Sequence, residues 1–376
     1  MNYIPYSTQS IDDSDINEVV QALKSDYLTG GARVGEFEKA LCDYTGAKFA
    51  VVMNSATSAL HAAYNALGLG QGDEIITTPI TFAATSNAAL MCGAEIKFAG
   101  VLESGNIDPA TIENLITNRT KIITPVDLGG LPVDMEQIQK IATKHNLKIV
   151  DDASHALGSS INNKKVGNLA DVSIFSFHPV KPITSLEGGA VLTNDEEIAS
   201  KARLFRNHGS IAKNAWHYDI SMLGYNYRLS DVGCALGINQ LKKLDKFIDI
   251  RNEIAEFYEN EFAKNPYFST IKIPQNVRSS RHLYIIKLFS NLWQFKEDIF
   301  NELKSCNIGV QVHYIPTYKF SLYEQKYGLI NIKSVEDFYN SSLSIPCHQK
   351  MSLDDAKFVA NTLFEVLEKY SIKQNT

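Results

Sequence analysis

Apolar and polar positions along the chain follow first a helical and then an alternating rhythm. From about Asp12 to Lys24, the apolar residues Ile16, Val19, Val20 and Leu23 recur at helical spacing. Leu28-Thr-Gly-Gly31 breaks this pattern, and Val34, Phe37 and Leu41 mark a second helix. Short strand-like runs then alternate with helical stretches. Phe49–Met53 precedes a helix over Ser58–Leu67, and Glu74–Thr77 precedes one from about Thr81 to Met91. The strand-like Glu95–Phe98 and Lys121–Val126 follow, then a helix near Met135–His145 and a strand over Lys148–Asp151. Such alternation predicts an α/β fold with a mainly parallel sheet covered on both faces. Ligands of such sheets sit at the carboxyl ends of the strands, so the residues just beyond each strand carry the functional signal.

The rhythm changes after Leu236. Leu236 to Phe262 is helical and charged, as expected of a single connecting helix. Beyond residue 265, the strand-like Leu283–Phe289 and Gly309–His313 mix with helices near 294–305 and 353–370, a pattern that predicts a small α+β unit. The expected division is a large unit over residues 1–250, opening with an extended arm that carries Tyr3, Pro5 and Tyr6, and a small unit over 251–376.

Composition removes several function classes. The 376 residues are 44% hydrophobic and 21% charged, an ordinary globular balance, and the net charge of −6 gives no footprint for nucleic acid. The five cysteines are scattered without metal-ligand spacing, as expected of reduced thiols in a cytoplasmic protein. No apolar run approaches the roughly 20 residues of a membrane helix. Gly68-Leu-Gly-Gln-Gly72 imitates a dinucleotide fingerprint, but it follows a helix instead of a strand and reads as a turn.

The strand ends hold the candidate chemistry. Lys181 lies between the strand-like runs Val172–Phe177 and Ala190–Thr193, in a turn stiffened by Pro179 and Pro182. A lysine there is ordinarily a solvated surface residue; desolvated, it forms imines readily. The strand ending at Asp151-Asp152 leads to His155, without the further ligands a metal site needs. Asn54-Ser-Ala-Thr-Ser58 opens a helix, where small hydroxyl residues serve as plain caps or as a phosphate cradle using the N–H groups of Thr57 and Ser58. Phe82, after the next strand, is either core or a stacking platform, and Ser176 is one more phosphate donor. Together these features fit pyridoxal phosphate: a lysine for the imine, a carboxylate for the pyridine nitrogen and a cradle for the phosphate.

These residues stand in longer motifs, notably Asp152-Ala-Ser-His-Ala-Leu-Gly158, Ser176-Phe-His-Pro-Val-Lys181, Gly224-Tyr-Asn-Tyr-Arg-Leu229 and His313-Tyr-Ile-Pro316. With them the chain resembles the sugar-nucleotide aminotransferases of the DegT/DnrJ/EryC1/StrS family, from Leu28 to His348. The resemblance implies a fold-type I, aspartate-aminotransferase-like architecture with Lys181, Asp152 and His155 as catalytic residues. It further implies that Phe82 stacks on the cofactor, that Ala56, Thr57, Ser58 and Ser176 bind it, and that Asn226 reaches its phosphate from the neighbouring subunit of a homodimer. Arg228 is implied to hold the carboxylate of the donor, L-glutamate. Within the family the chain is most similar to the branch that aminates C4 of a UDP-linked 4-keto-6-deoxy-N-acetyl sugar for pseudaminic acid, which shares Asp127 where many members have histidine. By that likeness Tyr6, Asp26, Tyr27, Leu28, Thr29, Ala56, Ser176, Asn226, Gln311, Val312, His313 and Tyr314 are implied to line the sugar-nucleotide pocket.

Three alternatives stay open from sequence. One is transamination of another keto sugar nucleotide, whether D-configured 4-keto or 3-keto. Another is a pyridoxal-phosphate sugar dehydratase, a branch that replaces the lysine by histidine, against which Lys181 argues. The third is a non-catalytic binding protein on the same fold.

Overall fold

The computed structural model describes residues 2–373. Helices α1 (Asp13–Leu23) and α2 (Ala32–Thr45) come first. Asp12 caps α1 by accepting from the N–H groups of Ser14 and Asp15, and Asp15 accepts the Asp12 N–H in return. The alternating region follows as β1 (Phe49–Met53), α3 (Ala56–Ala66), β2 (Glu74–Thr77), α4 (Ala84–Met91), β3 (Glu95–Phe98), β4 (Thr120–Thr124), α5 (Met135–His145) and β5 (Lys148–Asp152). A short hairpin, β6 (Ser160–Ile161) and β7 (Lys164–Lys165), precedes β8 (Val172–Ser176) and β9 (Gly189–Thr193). Next come α6 (Glu196–Arg206), the hairpin β10 (Ser210–Ala212) and β11 (Tyr218–Ile220), α7 (Asp231–Leu241) and α8 (Leu244–Glu261). The remainder comprises β12 (Phe268–Thr270), β13 (Val277–Arg278), β14 (Tyr284–Leu288), α9 (Lys296–Ser305), α10 (Ser321–Tyr327), α11 (Lys333–Ser341), β15 (Ser342–Ile345) and α12 (Leu353–Lys373).

Seven strands form the main sheet, in the order β1-β9-β8-β5-β4-β2-β3. Strands β3, β2, β4, β5 and β8 run parallel, and β9 is antiparallel to both of its neighbours. The strands β2, β8 and β9 are buried throughout, which suits a sheet covered on both faces. This is the expected α/β class. The β5–β8 register sets Asp152 opposite Ile174, so the Asp152 end of β5 lies beside the exit of β8 toward Lys181.

A second, three-stranded antiparallel sheet has the order β12-β14-β15. Its apolar face joins α8, α9 and α12 in a separate core that includes Ile286, Leu343, Ile299 and Leu363. Ile4 of the N-terminal arm is buried in that same core, so the first residues of the chain pack with the last hundred.

Two expectations fail. The helix expected over 236–262 is two helices, broken at Lys242–Lys243. The α7 helix is buried almost all round, and the charged text begins where it stops. At the break the Lys243 amine turns to Asp12 (2.7 Å) and Asp15 (2.8 Å). The strand expected over 309–313 does not form either. Its backbone divides its partners, Ile308 bridging the arm at Ile4 and Gln311 bridging Ser344, so no continuous ladder is left. The glycine run 68–72 is a turn, with positive φ at Gly68 and Gly72.

Candidate active site

A cleft of about 610 Å³ opens where β1, β2, β4, β5 and β8 end. Its floor comes from the sheet side and its opposite wall from Tyr6 and Gln311–Ile315.

Asp152 is buried at the floor, and both of its oxygens are engaged. Oδ2 accepts from the Thr85 hydroxyl at 2.7 Å, and Oδ1 accepts from the Ser154 hydroxyl at 2.5 Å and the Ser154 N–H at 3.3 Å. The Thr85 hydroxyl is itself paired with that of Thr81 at 2.8 Å. Lys181 enters from the β8–β9 turn, where its own N–H closes onto the His178 carbonyl at 2.9 Å. Burial pushes the Lys181 amine down to about 8, because the ammonium form loses its water, and Asp152 only partly opposes this.

The first turn of α3 forms one end of the cleft. Ser55 caps it, and Ser55 and Ser58 make a reciprocal capping box. The Ser58 N–H donates to the Ser55 hydroxyl oxygen (3.1 Å), and the Ser58 hydroxyl sits 2.7 Å from Asn54 Oδ1. Both Ser58 groups are thus engaged within the cap of α3. The unpaired N–H groups of this turn belong to Ala56 and Thr57, both lining the cleft. Gly189 lies beneath them: a Cβ there would meet the Ala56 nitrogen at 2.5 Å, so only glycine lets the turn rest on β9.

His155 is buried, and its tautomer follows from its partners. The Gly129 N–H donates to Nδ1 at 3.2 Å, so Nδ1 carries no proton, and Nε2–H donates to the Tyr314 hydroxyl at 3.1 Å. Burial and the nearby Lys181 hold His155 well below its ordinary range. His313 is pushed down to about 3, by burial first and Lys181 second, and its Nδ1 pairs with the Ser344 hydroxyl at 2.8 Å. Phe82, 64% exposed, faces Tyr314 across the cleft with ring centres 6.3 Å apart.

The structure thus brings together Tyr6, Ala56, Thr57, Phe82, Asp152, His155, Ser176, Lys181, Gln311, Val312, His313 and Tyr314. Other sequence-assigned residues lie outside this chain's cleft. Asp26, Tyr27, Leu28 and Thr29 form an exposed loop held by the Asp231 N–H on the Leu28 carbonyl and by a Thr29–Ser230 bridge. The Asn226 carboxamide oxygen accepts the Arg228 N–H, and the Arg228 guanidinium donates to Asn207 at 2.6 Å. Sequence reasoning missed Thr85, Ser154 and Gly129 as supports. Ser154 stands inside the quoted Asp152–Gly158 motif and Thr85 three residues after Phe82, but nothing in a sequence pairs Gly129 with His155.

Comparison with known proteins fits this geometry. Residues 9–364 match the DegT/DnrJ/EryC1/StrS aminotransferase family. The UDP-4-amino-4,6-dideoxy-N-acetyl-beta-L-altrosamine transaminase of Campylobacter jejuni (strain 81-176) is 56% identical over 97% of this chain and 98% of its own length. Helicobacter pylori PseC, an aminotransferase involved in the biosynthesis of pseudoaminic acid, superposes with a TM-score of 0.95 at 42% identity, over 98% of this chain and 100% of that one. The sugar aminotransferase Spr1654 of Streptococcus pneumoniae, in its PMP form, gives a TM-score of 0.96 at 29% identity, over the whole of both chains. This chain belongs to the DegT/DnrJ/EryC1/StrS aminotransferase family.

Proposed function

We propose that the protein is a pyridoxal-phosphate-dependent aminotransferase carrying the amino group of L-glutamate to C4 of a UDP-linked 4-keto-6-deoxy-N-acetyl sugar, in the route to pseudaminic acid. The observation that carries this is one cleft holding a desolvated lysine and a buried carboxylate fixed by two hydroxyls. The likeness to the Campylobacter transaminase supports the choice of sugar.

The donor set fits the cofactor. Ala56 and Thr57 offer N–H groups at a helix N-terminus, Ser176 a hydroxyl, Phe82 an open ring face and Asp152 an anion. Pyridoxal phosphate, when bound, supplies a carbonyl that condenses with amines and a ring that accepts the electron pair of a broken Cα–H bond. Asp152 would hold a proton on the ring nitrogen, and Thr85 and Ser154 keep it in place. Lys181 moves the proton, taking it from Cα of glutamate and later returning one to C4 of the sugar. Its pKa, lowered by burial to about 8, favours the uncharged amine that this step needs. His155, locked as the Nε2–H tautomer, spends its one N–H on Tyr314 and so orients that hydroxyl on the cleft wall.

The remaining assignments need a second copy of the chain. Asn226 would reach the phosphate of the partner's site, Arg228 would take the glutamate carboxylate, and Asp26–Thr29 would complete the sugar pocket with Tyr6 and Gln311–Tyr314. A homodimer with shared sites, a division at residue 250 and a cytoplasmic location belong to the same proposal. Among the described residues no helix is long and apolar enough to cross a membrane.

Enzyme converted by glutamate to its amino form tests the choice of sugar. Offered the two C5-epimeric UDP-4-keto sugars separately, it should regain its yellow absorbance with the L-configured epimer. Recovery with the D-configured epimer alone would move the assignment to another keto sugar.

A further inference from the structure

A side-chain hydrogen bond ties the N-terminal arm to the lysine turn. Ser7 is buried, and its hydroxyl donates to the Val180 carbonyl at 2.9 Å, on the peptide that joins Val180 to Lys181. Among the described residues, that carbonyl has no other donor. The direction of the bond is enforced from behind. Arg251 Nη2 lies 3.4 Å from the Ser7 oxygen, and a guanidinium can only donate. The Ser7 oxygen is therefore the acceptor in that contact, which leaves its single hydrogen for Val180.

Arg251 is itself fully buried and, among the described residues, has no carboxylate partner. It donates to Gln349 Oε1 (3.0 Å) and to the carbonyls of Cys347 (2.8 Å), Arg281 (3.2 Å) and His282 (3.3 Å). The flanking arm is pinned to the same region, since Cys347 N–H donates to the Tyr6 carbonyl and Gln349 Nε2 to the Thr8 carbonyl. A buried cation satisfied only by neutral acceptors is costly to maintain unless it organises them. Here it ties the arm, the 347–349 loop and the Arg281–His282 backbone to one point, and Ser7 passes that constraint to the turn that carries Lys181.

We infer that Ser7 is a positioning residue for Lys181, with Arg251 fixing the direction of its hydrogen bond. The N-terminal arm is then part of the catalytic support as well as a strap across the C-terminal core. This rests on the proposed role of Lys181 in proton transfer. The mechanism needs its amine to meet two different carbon atoms in turn, so a looser turn should slow chemistry without weakening substrate binding.

Ser7→Ala and Ser7→Thr separate this brace from a simple anchor for the arm. Hydrogen exchange of the apoenzyme should quicken across residues 178–185 in Ser7→Ala and return toward wild type in Ser7→Thr, which keeps the hydroxyl. In the cofactor-loaded enzyme, the glutamate half-reaction should slow about tenfold in Ser7→Ala at unchanged half-saturation, as small misplacements of a reacting group do. Faster exchange confined to residues 2–9, or a threonine variant no better than alanine, would overturn the inference. If wild-type enzyme fails to react with glutamate, the transaminase assignment falls, and the exchange comparison still decides the brace.

Discussion

The sheet side of the cleft and the wall facing it are built on different principles. Asp152, Ser176 and Lys181 sit at or just beyond the ends of the adjacent strands β5 and β8, whose register fixes their spacing. Tyr6 and Gln311–Tyr314 come from an arm and an irregular segment that share hydrogen bonds with distant chain. The residues 26–29 and 226–228 do not line the cleft of their own chain. A rigid floor suits groups that must handle protons at fixed atoms; a wall assembled from loops suits a variable sugar nucleotide.

The contrast breaks most sharply at Lys181. Lys181→Ala should lower turnover by at least about a thousandfold, because no other amine lines the floor, while part of the cofactor binding survives. Steady-state rates with the absorbance of the bound cofactor check this, and turnover above trace levels would count against it.

Subunit mixing is the next test. If Asn226 serves the partner's cleft, Lys181→Ala and Asn226→Ala chains refolded together should recover about a quarter of wild-type activity, since half the dimers are mixed and each has one intact site. No gain on mixing would return Asn226 to its own chain.

Gln311→Ala probes the wall alone. The half-saturation for the keto sugar should rise about tenfold, with the glutamate half-reaction unchanged, as expected when binding to one substrate is lost. Slowing of the glutamate step would erase the division between floor and wall.

Much of the floor is legible in the sequence, and little of the wall is. The strands β1, β2 and β3 end where the apolar runs end, and the Lys181 turn is announced by two prolines between strand-like runs. Local rules suffice there because each group follows its own strand. Ser58 shows their limit: the same hydroxyl pattern signals a phosphate ligand or a capping box, and the reciprocal Ser55–Ser58 bonds become visible only in the folded chain. The lost strand at 309–313 and the Ser7–Val180 contact depend on partners far apart in the chain, which no periodicity encodes.

The smallest effect concerns the support behind the floor. Asp127 is buried with Oδ1 accepting the Val133 N–H at 2.8 Å and Oδ2 unpaired, and burial pushes its carboxyl up to about 7. The folded state therefore binds a proton more tightly than the unfolded chain, and stability falls as pH rises from about 4 to about 7. Asp151, buried beside it, is also pushed well above its ordinary range, so Asp127→Asn should lessen this slope and improve Tm relative to wild type across that window. Parallel Tm curves from pH 4 to 8 would refute it.

If the Lys181–Asp152 cleft takes an amino group from glutamate, the colour of the cofactor reports it. The most direct measurement is the visible spectrum of the purified protein with pyridoxal phosphate, before and after L-glutamate alone. The wild-type protein should show a yellow band that bleaches on adding glutamate, and Lys181→Ala should lack that band and give no conversion of the cofactor to its amino form. A wild-type band that glutamate leaves intact, or no band even with added cofactor, would contradict it.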